Sequence, residues 1–391
     1  MTILNGHNIY YLSDIHGLKS KVVRYDYDPL LWPYFHHDVY KEYCIIEFFQ
    51  GYEFADHNLS DIIDLAHIEK IRLREAYLVL HNSHEAFHWV VKPIYQHLVI
   101  PYQLPPEQII LLSESPDIKS VIETVSREFD LDQIQAKWIN KFQYDIHRDN
   151  NYLCSLGKQR TPLTYRNYER KFINLNRRWR DHRPCLVAAF WHRNLLDKGY
   201  VSLAKSDDDK NWQNIIPHLQ EELSGNEYFS KLFIENKKEL ELLPELTIDN
   251  VDLTKNQPEL TTSLDYYYEN AYFSVVSETV FFTNGDGDYG RFMSEKTFKP
   301  IANLHPFIIV TVPNFLDKLK DIGYKTFDPF IDESYDKEKD NGLRLEKIVN
   351  EVERLCNLSS KELQQFIDNV NPICQHNYNL LMNRSNFIFD L

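Results

Sequence analysis

Residues 271–332 read AYFSVVSETVFFTNGDGDYGRFMSEKTFKPIANLHPFIIVTVPNFLDKLKDIGYKTFDPFID. The pattern predicts a strand, a glycine-rich loop, the start of a helix, a buried strand and a further helix. The loop carries Arg291, and Ser294 is a plausible N-cap followed by Glu295, Lys296 and Thr297. A helix N-terminus offers free backbone N–H groups and a partial positive charge, which suit an anion such as a diphosphate. Glu278, ending the VVSE strand, could hold a pair of ribose hydroxyls. Together these features are what a sugar-nucleotide site needs.

Working outward, 391 residues exceed one ordinary core, so two domains of roughly 150 to 200 residues are expected. An apolar content of 43% and an aromatic content of 14% support well-buried interiors. Only 11 residues are glycine, which gives weight to the cluster Gly285, Gly287 and Gly290. A net charge of −15 argues against a general nucleic-acid binder but leaves room for a local basic site. The 5 cysteines are scattered without a CxxC pair, so a disulfide framework or zinc cluster is not expected and a reducing cytoplasm fits. The first residues lack the charged and apolar regions of a secretory signal, and no apolar run approaches the ~18 residues of a membrane span. The expectation is a soluble cytoplasmic protein without a transmembrane segment; peripheral attachment at the inner membrane face stays open.

Short apolar runs alternate with amphipathic segments through the first half. Strands are expected at residues 8–14, 44–49, 76–83 and 108–115, and helices at 60–75, 85–99 and 117–129. Such alternation implies a mostly parallel, doubly wound sheet. We therefore expect an α/β domain over 1–150, a polar linker over 151–169, and a second α/β domain over 170–391 with a helical C-terminus. The second domain contains an insertion at 206–265 with 14 Asp/Glu against 5 Lys/Arg. That insertion reads either as an acceptor lid or partner surface, or simply as a solvated helical excursion.

The segment RKFINLNRRWRDHR, residues 170–183, holds 6 Lys/Arg against one Asp. Arg177, Arg178, His182 and Arg183 follow a predicted strand, and ligands of open α/β sheets gather at strand carboxyl ends. Arginines there can make bidentate contacts to phosphate. The plain alternative is a surface turn paired with the acidic insertion.

SVVSE followed by SEKTFKPIANLHPFIIV resembles the donor-binding motif of α1,3-fucosyltransferase-like glycosyltransferases, in which a strand ending in glutamate precedes a loop and a Glu-Lys-initiated helix. Lys299 stands where that family often has a second basic residue. The chain is similar, more closely, to bacterial and phage-encoded glycosyltransferase-like proteins carrying EKT(F/W)KPIA, a PFI(I/L)V strand, GYKTFD (here Gly323 to Asp328) and DESYD (here Asp332 to Asp336). LNRR…HR, Leu175 to Arg183, belongs to the same pattern. The resemblance covers about residues 170 to 350. It implies a GT-B architecture, two Rossmann-like domains facing across a cleft, with the donor on the C-terminal and the acceptor on the N-terminal domain. It assigns Glu278 to the ribose, Lys296 to the diphosphate and Glu295 to orienting the nucleotide or sugar. Pro300 departs from a regular helix, since its ring removes a backbone donor.

The expected reaction is sugar transfer from a nucleotide-sugar to a carbohydrate or glycolipid hydroxyl, as in polysaccharide biosynthesis, inverting and without metal or other cofactor. Positive groups and helix amides would stabilise the leaving diphosphate. A base from the N-terminal domain would deprotonate the acceptor. Glu85 is the first candidate and Asp14 the second, with His16 and His84 nearby; each reads more readily as a cap or structural polar group, because such residues commonly punctuate strand ends. Neither Asp207–Asp209 nor GDGD makes a convincing metal motif. A competing reading is a metallophosphoesterase, because LSDIHG (Leu12 to Gly17) resembles that family's first metal motif, but GDxxD and GHxH motifs are missing. A third is a non-catalytic nucleotide-sugar-binding protein.

Overall fold

The computed structural model describes residues 2–4, 7–10, 42–48, 53–56, 58–82, 88–176, 179–203, 211–223, 225–244, 246, 248, 264–282, 291–385 and 387–390. The chain divides into two compact units. Residues 1–144, 288–293 and 385–391 form the first, and residues 145–287 and 294–384 the second.

The first unit contains β1 (Thr2–Leu4), β2 (His7–Tyr10), β3 (Glu42–Glu47), β4 (Ala76–Asn82), β5 (Ile109–Ser113), β6 (Gln135–Ile139) and β11 (Ile388–Asp390), paired in that order. The pairs from β2 to β6 are parallel, and the outermost pair at each edge is antiparallel. Strands covered on both faces must be apolar on both, and this explains the near-continuous runs LVL and IILL. Leu78, Leu80, Ile109 and Leu111 enter one core with Ile94, Leu98 and Ile122 from the covering helices. In the helix Ile118–Phe129, Ile118, Ile122 and Val125 form its buried stripe.

Two expected helices are interrupted. The one over 60–75 breaks into Leu59–Ile62 and Leu65–Arg72, and the Asp64 side chain accepts the Ala66 N–H to restart the second. The one over 85–99 passes from a 3₁₀ turn through Val91–Ile94 into a π-turn at Tyr95–Val99. Pro93 lacks a backbone donor within this stretch, while the Tyr95 hydroxyl donates to Asp132 O and accepts from Ile134 N, both at 3.0 Å.

The helical expectation for the C-terminus holds for Asn341–Cys356 and Ser360–Asn383 but not for its end. There Ile388 pairs with Ile139 as β11 joins β6. The domain boundaries also differ from 150 and 170. The units divide at residues 144 and 145, inside the helix Lys141–Ser155. The stretch expected as a linker instead packs within the second unit, where Arg166 donates to Thr161 O, Tyr268 O and Asn303 O at 2.6–3.1 Å.

The second unit is built on β7 (Arg170–Asn174), β8 (Gly199–Val201), β9 (Ala271–Ser277) and β10 (Phe307–Val310). Their order is β10-β9-β7-β8, every pair parallel. Phe172, Phe190 and Phe273 meet at its centre, with Phe172 5.1 Å from Phe190 and 5.9 Å from Phe273. Gly199 is required beside them, because a Cβ there would lie 2.6 Å from the Phe172 ring. The acidic insertion is not simply a solvated excursion. Its helices Trp212–Glu222 and Glu227–Glu235 bury Trp212, Ile215, Ile216, Leu219, Phe229, Leu232 and Phe233. Among the described residues no helix is long and apolar enough to cross a membrane.

Candidate functional site at the switch between β7 and β9

β7 connects to β8 on one side through the helix His182–His192, and β9 connects to β10 on the other through the helix Glu295–Ala302. Adjacent parallel strands whose connections diverge leave a crevice at their carboxyl ends, the usual ligand position in open α/β sheets. Here those ends are tied by buried amides and hydroxyls. Asn174 donates to Val275 O at 2.7 Å and Ser277 Oγ at 3.2 Å. Asn176 donates through its side chain to Asn174 Oδ1 at 2.6 Å and Ser202 O at 3.1 Å.

Glu278 follows β9 and is fully buried. Its carboxylate accepts four hydrogen bonds: Thr279 N at 3.0 Å, Ser294 N at 3.2 Å, Ser294 Oγ at 2.6 Å and Thr297 Oγ1 at 2.5 Å. A ribose would have to displace one of these four donors to reach the carboxylate. The helix N-terminus expected to receive a diphosphate receives this carboxylate instead. Ser294 caps the helix as predicted, accepting Lys296 N at 3.3 Å.

His182 and Arg183 are also buried rather than presented to a phosphate. His182 Nε2 lies 3.0 Å from Glu278 O, and Arg183 Nη2 donates to Ser277 O and Glu278 O at 3.3 Å. Burial, reinforced by Arg183, holds the His182 pKa well below its ordinary value, so the ring is neutral and donates to the carbonyl. Both side chains brace the end of β9, because a carbonyl leaving the sheet ladder needs a donor.

Lys296 is the cation at the rim, its side chain 28% exposed. Its Nζ lies 2.9 Å from Glu295 Oε1, 3.1 Å from Ser294 Oγ and 3.4 Å from Thr279 Oγ1. Burial acts to raise the Glu295 pKa, but Lys296 and Lys299 outweigh it and hold it at about 2. Glu295 is therefore ionised, and an arriving anion competes with it for Lys296. Pro300 falls near the end of the helix rather than kinking its start, and its carbonyl accepts Asn303 N and His305 N.

Arg291 belongs to the first unit, where its backbone N–H and guanidinium are held by Asp117. Arg177, Arg178, Asp14, His16, His84 and Glu85 lie outside the described residues, as do the SDIHG motif, Gly285, Gly287, Gly290 and Asp207–Asp209. Sequence reasoning missed Asn174, Asn176, Ser202 and Thr279. The available signal was the abrupt change from apolar to small polar residues at each strand end.

No protein-family model matches this sequence, and no curated protein is recognisably similar to it. Among solved structures, 88% of the chain is similar to the GtfA/B complex at 10% identity and a TM-score of 0.40, covering 54% of that chain. The present chain thus spans about half the length of that protein. A further 91% match, at 10% identity and a TM-score of 0.41, covers 72% of an α,α-trehalose-phosphate synthase (UDP-forming) from Burkholderia xenovorans in complex with glucose-6-phosphate. S. aureus TarM, a mutant solved with fondaparinux, α-GlcNAc-glycerol and UDP, is similar over 88% of this chain and 55% of its own, at 11% identity and a TM-score of 0.33.

Proposed function

We propose that the protein is a GT-B-type glycosyltransferase that moves a sugar from a nucleotide-sugar to a carbohydrate or glycolipid hydroxyl. The observation that carries this reading is the diverging pair β7 and β9, with Lys296 at the rim of their carboxyl ends. Arg177 and Arg178 come directly after Asn176, which is anchored at that same edge. In the proposal these two arginines and Lys296 neutralise the departing diphosphate, with no metal required. Glu278 acts chiefly by rigidifying the helix start, and Glu295 keeps Lys296 positioned until the donor arrives. Any contact of Glu278 with the ribose requires Ser294 or Thr297 to yield. Glu85, or Asp14 in its place, takes the acceptor hydroxyl's proton as that oxygen bonds to the anomeric carbon and the bond to the nucleoside diphosphate breaks, inverting the anomeric configuration. The setting is polysaccharide biosynthesis at the cytoplasmic face.

Calorimetry with UDP, GDP, CMP and dTDP in chelator-containing buffer tests this reading, followed by turnover of the matching nucleotide-sugars. Binding of one nucleoside diphosphate and release of that product from its sugar conjugate are expected. Failure of all four to bind overturns the proposal, and binding without turnover in any acceptor screen identifies a non-catalytic binding protein. No observation among the described residues favours the phosphoesterase reading.

A further inference from the structure

The acidic insertion lines an open pocket of about 480 Å³ within the second unit. Leu203, just past β8, and Leu246, from the insertion, form an antiparallel bridge with Leu203 N donating to Leu246 O at 2.8 Å. Trp179 and Trp212 line the cavity and meet edge to face, ring centres 5.2 Å apart. Asn211, Gln213 and Glu241 complete its polar side.

Several of these polar groups have capacity that the fold does not use. Asn211 Oδ1 caps the helix Trp212–Glu222 by accepting Asn214 N, and its amide N–H₂ has no acceptor among the described residues. The Gln213 amide and the Trp212 indole N–H likewise have no hydrogen-bond partner among them. Among the described residues Glu241 has only Lys237, at 4.0 Å. Apolar ring surface beside unoccupied donors and acceptors is the chemistry that holds a hydroxylated ring: C–H faces pack on the indoles while hydroxyls meet the amides and carboxylate. Among the described lining residues the charged one is Glu241, whose carboxylate disfavours phosphate and other anions.

We infer that this cavity is a binding subsite for a neutral sugar residue, built by the insertion and separate from the groups around Glu278. The inference does not depend on the transferase reading. It is tested on the full chain, without nucleotide, by saturation-transfer NMR and tryptophan fluorescence with glucose, N-acetylglucosamine and maltotriose, using tetramethylammonium as the cationic comparison. Saturable binding of at least one saccharide is expected, weakened by about tenfold or more in Gln213→Ala and in Glu241→Gln. These two partly or fully exposed positions leave the buried indoles in place, and thermal melting verifies the fold of each variant. Lys296→Ala should leave saccharide affinity unchanged, which separates this subsite from the donor proposal. The inference is overturned if no saccharide binds, if both lining variants bind it as tightly as the unaltered chain, or if tetramethylammonium binds in preference.

Discussion

The Glu278 carboxylate and the Ser294 hydroxyl meet at 2.6 Å, joining the end of β9 to the first turn of the helix that follows it in the fold. A buried carboxylate is tolerated only where donors surround it. Here backbone N–H groups, two hydroxyls and the positive end of a helix supply them.

Thr297→Val keeps the shape of the side chain but removes one hydrogen bond to a buried charge. A loss of about 1.5–3 kcal/mol is expected. Urea unfolding should show it as a lower midpoint with unchanged slope; an unchanged midpoint would mean that Glu278 is held adequately by its other donors.

Lys296→Ala should leave the fold intact, since the side chain is partly exposed. Nucleoside diphosphate affinity should fall by about 1.5–3 kcal/mol in calorimetry if a charged hydrogen bond to phosphate is lost. Affinity equal to that of the unaltered protein would remove Lys296 from the donor site.

Stability should decline as pH falls below the ordinary histidine value. His305 is buried between Ser274 Oγ at 2.6 Å and Ala271 O at 2.7 Å, and burial first, then Arg166, lowers its pKa to about 3. His182 is shifted in the same direction. Their neutral forms stabilise the fold fully above the unfolded value of 6.5. That contribution is lost as pH falls towards the folded values, because only the unfolded chain takes up these protons. Each adds about 1.4 kcal/mol per pH unit. Urea titrations between about pH 6 and 5 should show this slope, reduced by one proton in His305→Gln; an unchanged slope in that variant would refute the assignment.

Arg344 is fully buried and donates to Thr311 O, Phe281 O, Glu338 O, Lys339 O and Asn341 Oδ1 at 2.7–3.3 Å. Its guanidinium also lies 4.3 Å from the Phe281 ring centre, and burial lowers its pKa to about 10. It thereby ties the segment after β9 to the segment after β10. Lysine has three donors in place of five, so Arg344→Lys should cost about 2–4 kcal/mol by leaving carbonyls unpaired. A melting temperature within a degree or so of the unaltered protein would show that this tie is dispensable.

Much of the strand and helix placement was legible, because period-two and period-3.6 apolar patterns are local. Strands β3, β4 and β5, and the helices beginning near Ile118 and Glu295, fall close to their expected positions. β11 was hidden, because a short terminal apolar run becomes a strand only when β6 offers its edge. The interrupted helix near Pro93 was likewise read as continuous, since its apolar spacing survives the change of helical pitch.

The sequence by itself determined two α/β units, the capped helix at Ser294 and the polar residues crowding certain strand ends, all of which are consequences of neighbouring side chains. Only tertiary structure decided which of those polar residues face inward. Glu278, His182 and Arg183 carry the charges or donors expected of ligand groups, yet apart from the neighbouring Thr279 chain packing brings their side-chain partners from 16 to 96 residues away. Burial then makes those internal contacts compulsory, because an unpaired charge or carbonyl inside the fold costs more than any one hydrogen bond returns.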